Sequence, residues 1–243
     1  MKILIFAKRC GKEILRDPIN LAFGLGFPIV LLMLISAIQA NIPVSLFEID
    51  SLAPGISVFG LSFMTLFSST LIAKDRESAF LQRLYATPLT PLDFILGYIL
   101  PLIPISMAQS MVCYLIASFL GLTLTVNVLY AIFMTLPIAL FHISLGLLCG
   151  SVLNAKQVGG ICGALLTNLS AYLSGVWFDL ELVGGVFAKI ADLLPFVHAV
   201  ELERAMLNGN ISDALPHLYI VVVYAIVTTV CAVFLFLRQM KRQ

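Results

Sequence analysis

Charged residues are spaced unevenly along this chain, and the gaps between them predict its architecture. Pro18–Phe47 carries no Asp, Glu, Lys or Arg over 30 residues, and Phe94–Ala155 carries none over 62. A membrane-spanning helix needs roughly 20 mostly apolar residues. The first gap therefore predicts one span, at about residues 20–39, and Ser51–Ala73 predicts a second. Phe94–Ala155 holds a third and a fourth, joined by a tight turn at Gly121–Asn127. Val158–Phe178 predicts a fifth and Ala214–Leu237 a sixth.

Three segments outside these spans carry their own patterns. In residues 2–17, Ile3, Phe6, Ala7, Cys10 and Ile14 share one helical face, and Lys2, Lys8, Arg9, Lys12 and Arg16 share the other. That pattern predicts a helix in the membrane interface, with its apolar face in the acyl boundary and its basic face toward lipid headgroups. The plainer alternative is a basic flank. Pro18 ends the segment. In residues 74–93, a short helix over about 75–86 clusters Phe80, Leu81, Leu84 and Tyr85 and breaks at Thr87-Pro88. Thr90-Pro91-Leu92-Asp93 then reads as a capping box opening span three. In residues 179–215, two pieces of about 13 residues are separated by Pro195. They read either as a helical hairpin dipping into the outer leaflet or as two surface helices.

Composition sharpens the class. The 243 residues are 60% hydrophobic and 11% charged, with a mean hydropathy of +1.06. Soluble domains carry about 25% charged residues, so lipid must solvate much of this surface. A net charge of +1 gives no general attraction to nucleic acid. The placement of the charges is more informative. With six spans, twelve Lys and Arg fall on one side and two, Lys189 and Arg204, on the other. The positive-inside rule places the twelve, and both termini, in the cytoplasm. The long apolar run after the basic start fits a first span better than a signal peptide. None of the five cysteines lies in an expected external loop, so a disulfide framework is not expected.

Candidate chemistry is sparse. There is no Gly-rich nucleotide loop, His-Glu-x-x-His or Gly-x-Ser-x-Gly, and no catalytic, metal or cofactor site is expected. His142, His198 and His217 are scattered, and His142 in span four reads as a neutral imidazole bonded to a neighbouring helix. No span holds a carboxylate or lysine near its middle, which counts against an ion-coupled carrier. Gly146-x-x-x-Gly150 and Gly159-x-x-x-Gly163 allow close helix approach. Each serves either packing within the chain or a dimer seam.

The order of these features resembles the membrane subunits of ABC-2 type exporters. The resemblance rests on Asp75-Arg76-Glu77, Arg83-Leu84 and Thr87-Pro88-Leu89 after span two. It also rests on Leu194-Pro195-Phe196 followed by Ala199 and Arg204, and it covers essentially the whole chain. Tyr85 departs from the small aliphatic residue common in relatives. The resemblance implies a single all-α transmembrane domain over 1–243. It would have six spans, an interfacial helix at 2–17, a cytoplasmic coupling helix in 74–93 and an external helical hairpin at 179–215. It also implies a permease, without enzymatic activity, that pairs with a second permease and docks on a cytoplasmic ATP-binding-cassette ATPase. Asp75, Arg76, Glu77, Phe80, Leu81, Arg83, Leu84, Thr87 and Pro88 would contact the ATPase. Lys8, Arg9, Lys12 and Arg16 would meet the membrane interface, Gly159 and Gly163 the dimer axis, and Pro195 and Arg204 would shape the hairpin. A hydrophobic drug, peptide or lipid-like compound would be exported through the cell membrane. The competing readings are an ion-gradient carrier or channel and a non-transporting scaffold.

Overall fold

A computed structural model describes residues 2–43, 47–78, 90–178 and 180–240. Among them every regular element is helical. In chain order these are α1 (Lys2–Leu15), α2 (Pro18–Gln39), α3 (Ile49–Glu77), α4 (Pro91–Ile99), α5 (Leu102–Phe119) and α6 (Val126–Val152). They continue with α7 (155–172), α8 (Leu180–Val183), α9 (Gly185–Leu193), α10 (Pro195–Leu207) and α11 (Ile211–Met240).

Five helical stretches are long and apolar enough to cross a membrane: Pro18–Gln39, Ile49–Glu77, Asp93–Phe119, Val126–Val152 and Ile211–Arg238. The chain is a multi-pass membrane protein. The expected fifth span, α7, is helical throughout but is not among the five. Lys156, Gln157 and Asn168 dilute its apolar character, and its middle, Gly159–Leu166, is wound as a π-helix.

The bundle is built around α3. Of its most apolar window 89% is buried, against 22% for α2 and α11, so lipid-facing surface belongs to the outer helices. Helices α2, α5, α6 and α10 pack against α3. Its contact with α6 is close because of glycine. A Cβ on Gly146 would overlap Ser68 Oγ and Thr65 O, and one on Gly150 would lie 2.6 Å from Ser69 O. The gap is bridged by hydrogen bonds from Ser68 Oγ to Ile143 O and from Thr65 Oγ1 to His142 O, both 3.0 Å. Gly146 and Gly150 therefore serve packing within the chain. His142 is buried beside Thr65, with Nδ1 3.3 Å from its hydroxyl.

Two expectations need correction, and one burial was not foreseen. The apolar face of α1 does not lie in the acyl boundary. Phe6, Ala7, Cys10 and Ile14 are buried in protein, and Phe6 sets its ring edge against Phe94 and Tyr98 of α4 at 5.7 and 5.1 Å. A partner helix with aromatic side chains outcompetes lipid for that face. Span two does not stop at Ala73 but runs to Glu77, so Asp75, Arg76 and Glu77 form its last turn. Glu203 is wholly buried, because α10 inserts against α3, α6 and α11. The expected capping box at Thr90 is present: Asp93 N donates to Thr90 Oγ1 at 3.3 Å, and Thr90 N donates to Asp93 Oδ2 at 2.7 Å.

Candidate functional site: the last turn of α3 and the Arg204 latch of α10

The last turn of α3 presents three consecutive ionic side chains to different neighbours, because successive helical residues point about 100° apart. Asp75 is 1% exposed and faces α1 and α4. Arg9 donates to both its oxygens, Nη1 to Oδ2 and Nη2 to Oδ1, each at 2.6 Å. Tyr98 Oη donates to Oδ2 at 2.8 Å. Arg9 also pairs with Glu13 at 2.7 Å, one turn along α1. A bidentate arginine–carboxylate pair fixes orientation as well as charge.

This cluster sets the local electrostatics. Burial works to lower the pKa of Arg9, but the hydrogen bonds and charge of Asp75, helped by Glu13, outweigh it, and the net shift is upward. Arg9 stays a cation. Burial pushes the Cys10 thiol up to about 12, so it behaves as an inert packing group. Burial also raises the Glu13 carboxyl, against the pull of Arg9.

Arg76 and Glu77 work on the turn between α6 and α7. Arg76 Nη1 donates to Gly150 O at 2.7 Å and Leu153 O at 3.1 Å, carbonyls that the end of a helix leaves without partners. Glu77 Oε1 accepts from Ala155 N at 2.8 Å, at the start of α7. A cation at a helix C-terminus and an anion at an N-terminus both complement the helix dipole. Asn154 and Gln157 complete the start of α7 with a reciprocal capping box.

At the other end of α3, Arg204 of α10 acts as a latch. It donates to Ser51 O at 3.2 Å, to Gly175 O at 3.3 Å and to Glu201 Oε1 at 2.8 Å. Gly175 has φ +70, and this left-handed turn offers its carbonyl to the guanidinium. Pro195 occupies the first turn of α10, where its missing N–H is harmless. At the position just before the latch, buried Glu203 accepts from Tyr114 Oη at 2.8 Å and Thr135 Oγ1 at 3.3 Å. Thr135 continues to Ser110 Oγ and Ser110 to Ser57 Oγ, each at 2.9 Å. Burial lifts the Glu203 carboxyl to about 8, although the hydroxyls of Tyr114, Ser57 and Thr135 oppose that rise. Nearby, His198 Nε2 donates to Asp192 O at 2.8 Å, which leaves its Nδ1 to face His217 Nδ1 at 2.8 Å.

The residues expected from sequence therefore fall into groups. Asp75, Arg76 and Glu77 come together and each binds a different element. Phe80, Leu81, Arg83, Leu84, Thr87 and Pro88 lie outside the described residues. Lys8, Lys12 and Arg16 are exposed, whereas Arg9 turns inward. A Cβ on Gly163 would touch Leu66 at 3.3 Å, but around Gly159 and Gly160 there is nothing within 4 Å. Sequence reasoning missed Glu203 and the partners of Asp75. A signal for Glu203 existed: Ala199, Glu203 and Met206 recur at helical spacing on one face. Among the described residues no group of three or more His, Cys, Asp or Glu is placed to hold a metal.

Comparison with known proteins agrees with this architecture. Residues 1–208 match the family model described as ABC-2 type transporter. The chain is also similar to Nodulation protein J of Bradyrhizobium diazoefficiens, 25% identical over 229 residues that cover 94% of this chain and 86% of that one. The chain belongs to the ABC-2 type transporter family.

Proposed function

We propose that the protein is the permease subunit of an ATP-driven exporter. It spans the membrane six times with both termini in the cytoplasm, pairs with a second permease, and is worked by a separate ATPase that docks on 74–93. The carried compound is hydrophobic or amphipathic. The observation that carries this reading is the last turn of α3, where Asp75, Arg76 and Glu77 fasten α1, α4, α6 and α7 to one point. A push on the segment that follows would reach all four elements together. Alternating access needs such a rigid-body linkage.

Support for the sixth span comes from the two ends of α7 and its following turn. Ala155 is bound to Glu77 at one end of α3, and Gly175 shares Arg204 with Ser51 at the other. The segment 155–175 thus runs the length of α3 beside it. That count restores the twelve-to-two division of basic residues and an inward-facing α1. Support for a second permease comes from the bare surface at Gly159 and Gly160, beside the exposed Leu165 and Leu169. Small residues on a lipid-exposed helix allow another helix backbone close approach.

The reading is tested by co-purification. The tagged chain, expressed with the ATP-binding-cassette protein of its host, should retain that ATPase. Substitution of Glu77, Arg83 or Leu84 should abolish retention or stimulated hydrolysis while the chain still inserts. Transport by the purified chain alone, with neither ATPase nor nucleotide, would sink the idea.

A further inference from the structure

A cavity of about 580 Å³ opens beside the Arg204 latch. It lies at the Ser51 end of α3, some 24 residues and roughly 36 Å of helix from Asp75 at 1.5 Å per residue. Its size falls within the range of small-molecule sites, about 300–1,000 Å³. The wall has two characters. One part is aromatic: Phe47, Trp177 and Phe178 line it and are only half-buried. Trp177 is steadied from behind by Phe59, edge-on at 5.6 Å, and Phe178 by Tyr172, stacked at 6.4 Å. The other part is ionic: Asp192, Glu201 and Arg204.

Charge balance among these three decides what the cavity can hold. Arg204 is spent on Glu201 and two backbone carbonyls, so its charge is already matched and three of its five N–H groups are occupied. Asp192 is exposed and forms none of the ion pairs among the described residues. Its own backbone carbonyl accepts from His198, which holds the backbone at the end of α9 beside the cavity. Among the described residues the lining therefore carries one uncompensated negative charge next to aromatic faces. Aromatic faces attract cations through the ring quadrupole, most strongly for Trp. An anion would meet two carboxylates and an arginine that has no charge to spare.

We propose that this cavity binds an organic cation, an amphipathic compound whose apolar body rests on Trp177, Phe178 and Phe47 and whose positive charge is balanced by Asp192. The proposal rests on the export reading for the compound's fate, since it gives the charge of the carried molecule. Binding itself needs no ATPase and can be judged separately.

The chain contains a single tryptophan, so its fluorescence reports this cavity directly. The purified chain in neutral-detergent micelles is titrated with tetraphenylphosphonium and, separately, with tetraphenylborate, ions of matched size and opposite charge. The cation should change the emission saturably and the anion should give only a linear partitioning background. Asp192→Asn should weaken the cation at least tenfold while leaving the emission spectrum of the free protein unchanged. Trp177→Phe should remove the signal. Equal saturable responses to both ions, no saturable response to the cation, or an unchanged affinity in Asp192→Asn would each overturn the site. A second measurement keeps the export reading apart: saturable cation binding with no effect on hydrolysis by the reconstituted ATPase complex leaves the site standing and counts against export.

Discussion

Arg9 and Asp75, 66 positions apart in the chain, share two hydrogen bonds of 2.6 Å at the Glu77 end of the central helix. Asp75 contributes a side chain 2% exposed and Arg9 one 35% exposed. The pair ties α1 to the most buried of the long apolar helices. Tyr98 adds α4 to the same carboxylate.

Removing one partner of this pair strands a charge out of water. Asp75→Ala should cost about 3 kcal/mol, the lower end of the range for breaking a buried pair, because Arg9 keeps some access to solvent. Arg9→Ala should cost a similar amount. The double variant should lose much less than the sum, because no lone charge remains. Thermal unfolding in detergent of the four proteins gives the coupling. Additive losses would remove the pair from any account of how α1 is held.

Arg76 and Glu77 make a different test, since they act on helix ends rather than on each other. Arg76→Met removes two donors to Gly150 and Leu153 and should destabilise by about 1–2 kcal/mol. Glu77→Gln keeps an acceptor for Ala155 N–H and loses only the charge, so it should cost under about 1 kcal/mol. If the turn transmits motion, both variants should reduce stimulated ATPase activity by more than their loss of stability explains. Normal stimulation in both, with the expected shift in Tm, would confine them to a structural role.

Much of this arrangement was legible in the charge pattern, and the rest was not for identifiable reasons. The gaps between charges located the long helices among the described residues to within a few positions, because a charged side chain is costly in hydrocarbon. Thr90-Pro91-Leu92-Asp93 declared its capping box because those contacts are local. Arg9 and Asp75 looked like an interfacial cation and a loop acid, since nothing in either segment names a partner 66 residues away. Glu203 was hidden by its neighbours. Glu201, Arg204 and Asp213 mark an aqueous segment, and only the packing of α10 into the bundle reveals which of the acids is enclosed.

Glu203 predicts a pH dependence of stability. Its carboxyl is raised from 4.5 to about 8 in the folded protein. Below pH 4.5 both states hold the proton and stability is flat. Between 4.5 and 8 the unfolded chain releases it while the folded one retains it, so stability falls as pH rises, by on the order of 1 kcal/mol per pH unit. Above 8 both have lost it and the curve levels. Glu203→Gln, which cannot ionise, should flatten this stretch in a series of melting curves from pH 5 to 9. A slope that survives the substitution assigns the effect to other groups.

The glycines of α6 and the exposed glycines of α7 should respond in opposite ways. Gly146 and Gly150 stand against the α3 backbone, and Gly150→Leu would drive a side chain into Ser69. That variant should lower Tm sharply, as overpacking does. Gly160 has nothing within 4 Å, and its neighbours along α7 are the exposed Gly159, Ala164 and Leu165. Gly160→Leu adds a side chain to open surface, so Tm of the isolated chain should shift by under about 0.5 kcal/mol in equivalent stability. If a second permease packs there, the added bulk separates the two backbones that small residues let approach. Light scattering of the purified complex should then show the dimer fraction falling at least tenfold at fixed concentration, with the monomer still folded. An unchanged dimer fraction moves the seam elsewhere, and the exposed face of α2, with Phe23, Val30 and Met33, becomes the surface to alter next.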